Sequence, residues 1–386
     1  MVEHISADEL AARMDREGSF ALVDTRGVES YEAWHAPGAH NFPFGPDAEL
    51  TDERRRAFES IVGDTRPVVT ICAKGVSSRH LADALVESGV VADDEVFVVE
   101  DGMRGWSNVY ETTPVQVDEG VEVVQVQRRA KGCLGYLVGD PATAEAAVVD
   151  ATRQTDVFRE VAADAGYDIV RVLDTHVHAD HLSGGRALAD ELDVPYHLGA
   201  DARERGVEVE YDPLERNEVV EVGDIDLKAL ATPGHTTESV SYLVDATAVL
   251  TGDSLFVDST GRTELEFGER GADEGARLLY DSLHRTLLAE PDAVTVLPGH
   301  VDVASDGEWG VASPGDPVAG SVGTLRTGLS LLERDREGFV DYFAEHTPEK
   351  PPNYERVVAV NRGIEAVPDE PAATELEMGP NNCAIE

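Results

Sequence analysis

Short apolar runs closed by polar turns recur along the chain, and their spacing changes once. Residues 20–25 (FALVDT), 68–72 (VVTIC) and 96–99 (VFVV) are mostly apolar rather than alternating and read as buried strands. Such runs suit strands buried on both faces, and the stretches between them carry helical periodicity. A small α/β unit with a largely parallel sheet is expected. The rhythm breaks near Thr113-Pro114, which sets this first unit at residues 1–114.

From about residue 119 the grammar is different. VEVVQVQR (121–128), LGYLVGD (134–140) and AAVVDA (146–151) read as paired strands, followed by a helix over 153–165 and the apolar strand IVRVLDT (169–175). Strand-and-turn units cover 219–230, 239–244 and 247–251, a helix fills 273–289, and AVTVLPGH (293–300) runs from strand into loop. Two sheets with helices outside are expected over 119–345, with chemistry on the connecting loops. Pro348, Pro351, Pro352, Pro368, Pro371 and Pro380 make 346–386 an irregular extension, packed on the second unit. No internal repeat is present.

Length and composition fit this division. A chain of 386 residues exceeds what one core usually serves. It lacks any run of about 18 apolar residues, so no membrane span is expected. Its start, MVEHISADELAARMD, has neither the basic residues nor the apolar stretch of a signal peptide, so a cytoplasmic location is expected. The charge changes the picture more. With 31 basic against 76 acidic residues the net charge is −45, and Lys74, Lys131, Lys228 and Lys350 are the only lysines. Such a surface repels nucleic acid and anionic membranes. The acid is spread over the whole chain rather than gathered in a tail, which points to adaptation to high salt, where screening is short-ranged. Cys72, Cys133 and Cys383 are too few for a disulfide framework in a chain with no export signal, so a special cysteine here should be reactive.

The densest group of ligand-type side chains is Thr175-His176-Val177-His178-Ala179-Asp180-His181, directly after a strand. In an extended segment His176 and His178 point to one side, and Asp180 and His181 can reach the same place from the turn. Pro233-Gly234-His235-Thr236, Thr251-Gly252-Asp253-Ser254 and Pro298-Gly299-His300 repeat one device, a ligand where a buried strand ends in a glycine turn. Imidazole and carboxylate suit zinc, iron or manganese. His4, His35, His197 and His346 lack this context and are read as structural.

These four motifs, in this order, resemble the metallo-β-lactamase superfamily over roughly residues 119–345. The resemblance implies an αββα sandwich with the metal between the sheet edges. Similarity to hydroxyacylglutathione hydrolases implies two Zn(II), one held by His176, His178 and His235, the other by Asp180, His181 and His300, with Asp253 between them. A bridging hydroxide would then attack a thioester. Similarity to persulfide dioxygenases implies one Fe(II) per chain on His176, His235 and Asp253, with His178, Asp180, His181 and His300 beside it. Such a triad leaves open positions for O2 and substrate. Gly261-Arg262-Thr263-Glu264-Leu265 is similar to a G-R-T-[DE] segment of the dioxygenases, which implies that Arg262 pairs with a substrate carboxylate.

The first unit bears on this choice. Asp24-Thr25-Arg26, the run Trp34-His35-Ala36-Pro37-Gly38-Ala39-His40-Asn41-Phe42-Pro43, and Cys72 followed by Ala73-Lys74-Gly75-Val76-Ser77-Ser78-Arg79 resemble the rhodanese family over about residues 3–112. A cysteine in a loop of backbone N–H groups at a helix start has a lowered pKa and can carry a persulfide sulfur. Lys74, Gly75, Ser77 and Arg79 are then the substrate-binding residues around Cys72. The common loop is C-x-x-G-x-R, and here Ser77 stands at the arginine position, which counts against thiosulfate cleavage. Cys133 is read as strand packing and Cys383 as a tail residue.

A sulfur carrier joined to an enzyme that oxidises persulfide sulfur makes chemical sense, because tethering concentrates the shared intermediate. The expectation is therefore an iron enzyme that converts a small thiol persulfide and O2 into sulfite and thiol, coupled to sulfur transfer at Cys72. A binuclear zinc thioester hydrolase is the alternative, and a non-catalytic sulfur-binding module the third class. Small molecules are the expected partners, and a homodimer is compatible with the sequence.

Overall fold

The computed structural model describes residues 2–16, 18–118, 120–381, 384 and 385, with residues 269 and 270 described by backbone alone. In the first unit the strands Glu3–Ile5, Val96–Val99, Val68–Ile71, Ala21–Asp24 and His40–Asn41 lie side by side in that order, every pair parallel. Every residue of the strands Ala21–Asp24 and Val68–Ile71 is buried, as expected for mostly apolar strands of a parallel sheet covered on both faces. Leu10, Trp34 and Trp106 cover one face, while Phe58, Leu81 and Leu85 cover the other.

The change of unit comes earlier than expected. Tyr110–Val115 is a strand that pairs antiparallel with Glu122–Arg128, so the break anticipated at Thr113-Pro114 falls inside the second unit's sheet. Pro114 is tolerated because this strand is an edge and needs ladder bonds on one side only.

The second unit holds two sheets. The seven-stranded one runs Asp212–Leu214, Tyr196–Gly199, Asp168–Leu173, Glu145–Val149, Cys133–Asp140, Glu122–Arg128, Tyr110–Val115. The six-stranded one runs Val219–Val222, Ile225–Ala231, Val240–Val244, Ala248–Gly252, Thr295–Pro298, Gly320–Ser321. Val123, Tyr136, Val149 and Leu173 of one sheet meet Leu227, Tyr242, Leu250 and Leu297 of the other in a shared core. Helices Thr155–Ala165 and Gly185–Leu192 cover the first sheet through Phe158 and Leu188. Helices Glu264–Arg285 and Arg336–His346 cover the second through Leu279, Leu283, Phe339 and Phe343. This is the four-layer αββα arrangement. The helix expected at 273–289 begins earlier, at Glu264, with a non-helical break at Gly268.

The C-terminal segment is not irregular. It forms helices Tyr354–Asn361 and Glu370–Leu376. Pro371 sits in the first turn of a helix, where a missing N–H costs nothing, and the Asp369 side chain accepts from Ala372 N at 2.9 Å. Val357, Ala373 and Leu376 pack on Leu182, directly behind the histidine run. Glu375 also reaches Lys74 and Arg104 of the first unit, so the segment touches both units. Cys383 lies outside the described residues. Among those described, no helix is long and apolar enough to cross a membrane.

Candidate metal centre

Strand ends deliver the ligand-type side chains to one buried place. Asp168–Leu173 leads into the His176–His181 run, Ile225–Ala231 into His235, Ala248–Gly252 into Asp253, and Thr295–Pro298 into His300. Two glycines are structurally required. Gly252 has φ +48°, and a Cβ there would come within 2.3 Å of Thr175 Oγ1; Gly234 has φ +147°, and a Cβ would strike the Leu279 backbone at 2.4 Å.

The seven residues sort into distinct groups. His176, His235 and Asp253 bring one ligand atom each within 4.8 Å of one another. Asp253 Oδ2 lies 3.9 Å from His176 Nε2 and 3.6 Å from His235 Nε2. Donors bonded to one metal at about 2.1 Å stand about 3 to 3.5 Å apart, so slight contraction closes this triad around an ion. Asp180, His181 and His300 form a second group together with Cys133. His178 belongs to neither. It groups with Asp150 and Asp174, and its Nε2 is 3.3 Å from Asp150 Oδ1.

Hydrogen bonds set the tautomers of the first triad. Thr175 Oγ1 has one hydrogen and gives it to the Asp150 carboxylate, 2.9 Å from Oδ2, so it accepts from His176 Nδ1–H at 2.9 Å. His235 Nδ1 faces the Arg262 carbonyl at 2.6 Å, and a carbonyl can only accept. Both rings therefore turn an Nε2 lone pair inward, the arrangement a metal-binding imidazole needs. Burial and the neighbouring His178 and His235 push the His176 pKa well below the ordinary value, which keeps that lone pair free. His176 Nε2 and Asp253 Oδ2 are buried and find no hydrogen-bond partner among the described residues; the same holds for both ring nitrogens of His178 and for His181 Nε2. Buried polar atoms without partners are costly, and a cation completes them. The donor set thus fits a metal.

The second group is satisfied largely within itself. His300 places Nδ1 2.6 Å from Asp253 Oδ1 and Nε2 2.9 Å from Asp180 Oδ2. His181 Nδ1 is 3.1 Å from both Asp180 oxygens, and Cys133 Sγ donates to Asp180 Oδ2 at 3.2 Å. Burial alone would raise the Asp180 pKa, but His181 and His300 outweigh it and hold the carboxyl well below the ordinary value.

Two sequence readings are corrected here. Cys133 is more than strand packing: its strand opens beside the Pro-Gly-His turn, through a bridge between Cys133 and His300, and turns the thiol onto Asp180. The adjacent Lys131-Gly132 already carried the strand-end-and-glycine pattern seen at the other ligands. Arg262 is not presented to a substrate. Its side chain is fully buried, Nε donates to Glu264 Oε1 at 2.6 Å, and its terminal nitrogens donate to the Glu349 and Pro348 carbonyls at 2.8 Å. Asn361 and Glu377, which carry no ligand motif, were missed; they hold the metal loop from behind.

In the first unit Cys72 ends the strand Val68–Ile71 and faces the start of helix Val76–Glu87. Gly75, at φ +77°, makes the turn before that helix. Burial opposes ionisation of Cys72, yet the Ser77 and Ser78 side chains and the Ser78 and Lys74 backbone bonds outweigh it, so its pKa falls below the usual thiol value. Ser78 Oγ donates to Cys72 Sγ at 3.3 Å, and Ser77 Oγ sits 2.9 Å from Thr25 Oγ1. Arg79 is half exposed, 3.9 Å from Asp83, and Lys74 is 4.0 Å from Glu375. Ser78 therefore joins the loop residues the sequence suggested.

Comparison with known proteins agrees with both units. Residues 6–109 match the rhodanese-like domain, and residues 128–300 match the metallo-beta-lactamase superfamily. A hydroxyacylglutathione hydrolase of Bradyrhizobium sp. is 33% identical over 187 residues, covering 48% of this chain and 69% of the relative. The mitochondrial persulfide dioxygenase ETHE1 of Homo sapiens is 29% identical over 171 residues, 43% of this chain and 62% of the relative. The crystal structure of ETHE1 from Myxococcus xanthus superposes with TM-score 0.54 and 28% identity, over 65% of this chain and 100% of that one.

Proposed function

The chain belongs to the metallo-beta-lactamase superfamily and carries a rhodanese-like domain, and on that footing we propose that it is a mononuclear iron persulfide dioxygenase. One observation carries the reading. His176, His235 and Asp253 converge as a triad while His178 turns to Asp150, and Asp180, His181, His300 and Cys133 bond to one another. His176, His235 and Asp253 would hold the ferrous iron, which would supply the redox chemistry between O2 and a persulfide sulfur.

The overall change is balanced: one thiol persulfide, one O2 and one water give one thiol, one sulfite and two protons. The four electrons taken up by O2 come from the persulfide sulfurs. Thr175 and the Arg262 carbonyl fix the orientation of His176 and His235, and His300 holds Asp253 Oδ1 so that Oδ2 faces the triad. Cys72, with its lowered pKa, carries sulfur as a persulfide; a small thiolate attacks the outer sulfur, the S–S bond breaks to release the Cys72 thiolate, and the thiol persulfide so formed is what the metal centre consumes.

Purified protein loaded with iron is expected to bind about one metal per chain, consume O2 with a low-molecular-weight thiol persulfide, and release sulfite. The second reading is a binuclear zinc thioester hydrolase, favoured by the partnerless His181 Nε2 and by the hydrolase relatives. Two zinc ions per chain and thioester hydrolysis without O2 uptake would establish it and overturn the first.

A further inference from the structure

We infer that the C-terminal segment is a working part of the metal centre, with Asn361 and Glu377 as positioning residues for the loop that carries His176 of the proposed triad together with His178, Asp180 and His181. The inference rests on that loop belonging to a metal site, and not on which reaction the site performs. The loop lies outside regular strand and helix, since the strand ahead of it ends at Leu173 and the next helix begins at Gly185. Its own unit meets part of its polar backbone, with Arg153 N donating to the Leu182 carbonyl at 2.9 Å and Val177 N to Glu238 Oε1 at 2.8 Å, and the tail meets the groups at 178 and 181–183 described next.

Asn361 does this from the end of helix Tyr354–Asn361. Its Nδ2 donates to the His178 carbonyl at 2.9 Å and the His181 carbonyl at 2.8 Å, while its Oδ1 accepts from Ser183 N at 2.9 Å. One side-chain amide thus spans both ends of the turn and fixes its width. Glu377 adds a second hold. Its Oε1 accepts from Leu182 N at 2.7 Å, and its Oε2 takes Arg128 Nη2 and Arg153 Nε, each at 2.8 Å. Asn381 completes the set, donating to the Lys131 carbonyl at 2.7 Å with its Nδ2 3.6 Å from Cys133 Sγ. Leu182 is packed by Val357, Ala373 and Leu376 of the same tail.

The tail's next helix, Glu370–Leu376, borders the other reactive loop. Glu375 bonds to Arg104, in a turn whose N–H groups cap the Cys72 strand: Met103 N donates to the Cys72 carbonyl at 2.7 Å and Arg104 N to Ala73 O at 3.3 Å. Glu375 is half exposed, and exposed pairs contribute little. The buried contacts to 178–183 are the ones that should matter.

The test uses the full chain stripped of metal and titrated with Co(II), whose visible absorption reports its ligand geometry. Groups that orient metal ligands typically change affinity by about 10- to 100-fold when removed. Asn361→Ala and Asn361→Asp should each weaken Co(II) binding by at least about tenfold and alter the spectrum, with circular dichroism unchanged. Asn361→Asp keeps the acceptor for Ser183 but loses both donated bonds, so it isolates the span across the turn. Glu375→Ala should leave affinity and spectrum as in the parent. Unaltered Co(II) affinity and spectrum in folded Asn361 variants overturns the inference. A second measurement needs no variant: Co(II) added to the parent protein should slow hydrogen exchange in 178–183 and 357–377 together, and slowing confined to 178–183 also overturns it. Both readouts concern metal binding alone, so absence of persulfide oxidation would sink the proposed function and leave this inference standing.

Discussion

Replacing Glu377 by glutamine removes one negative charge from a place where two arginines depend on it. Glu377 and Arg128 are both fully buried, 2.8 Å apart, and Arg153 donates to the same carboxylate oxygen. Burial would raise the Glu377 pKa, but Arg128 and Arg153 pull it from the ordinary 4.5 down to about 2. At 1.36 kcal/mol per unit, that displacement makes the charged form worth about 3 kcal/mol to the folded state at neutral pH. Loss of one partner of a buried pair typically costs about 3–5 kcal/mol, in agreement. For one cooperative transition of 386 residues, about 3 kcal/mol lowers Tm by about 4 °C. The acid side supplies the sharper check. A depressed folded pKa gives stability that is complete above the ordinary value and disappears as pH falls through the folded one. The gap between parent and Glu377→Gln should therefore be constant from pH 5 to 8, then close between about 4.5 and about 2. Denaturant unfolding of both proteins over this range, at fixed high salt, measures it. A neutral-pH gap below about 1 kcal/mol, or one that persists unchanged into acid, refutes the assignment of Glu377 as the charged centre of this cluster.

Other outcomes follow from the same structure. Cys72→Ser should abolish sulfur transfer yet leave oxidation of a supplied persulfide largely intact, which sulfite release and a transfer assay separate; equal loss of both would mean that the units do not act as distinct steps. Ser78→Ala removes a bond that stabilises the Cys72 thiolate, so the alkylation midpoint of Cys72 should move to higher pH. Arg262→Lys should lower Tm while changing KM for persulfide less than about twofold, because its donors are spent on Glu264 and two carbonyls. With a net charge of −45, stability should rise steeply between dilute buffer and molar salt, and full stability in dilute buffer would contradict the reading of the acidic surface.

The parts of this molecule legible in sequence were those with local causes. Apolar runs buried on two faces announced the parallel sheet, and glycines at strand ends marked His235, Asp253 and His300. The misread parts depend on residues far apart in the chain. Cys133 meets Asp180 across 47 positions and Glu377 meets Leu182 across 195, distances at which no periodicity carries a signal. Arg262 was misjudged because a motif specifies a residue type and not where its donors go; two of its acceptors are carbonyls 86 and 87 positions downstream. Pro371, one of the prolines that mark 346–386 as irregular in sequence, instead lies in the first turn of a helix, a distinction that rests on the Asp369 cap.

The tail contacts also dictate an order of events. Ser183 and Leu182 wait for partners 178 and 195 positions later, so their bonds close among the longest loops in the chain. Closing such loops is entropically expensive and comes late in folding. The sheets can assemble and set His235, Asp253 and His300 at their strand ends before the turn bearing His178 and His181 has its final width. The last part of the site to acquire its shape is thus the part whose hydrogen bonds come from the far end of the chain, and not the part fixed by the sheets.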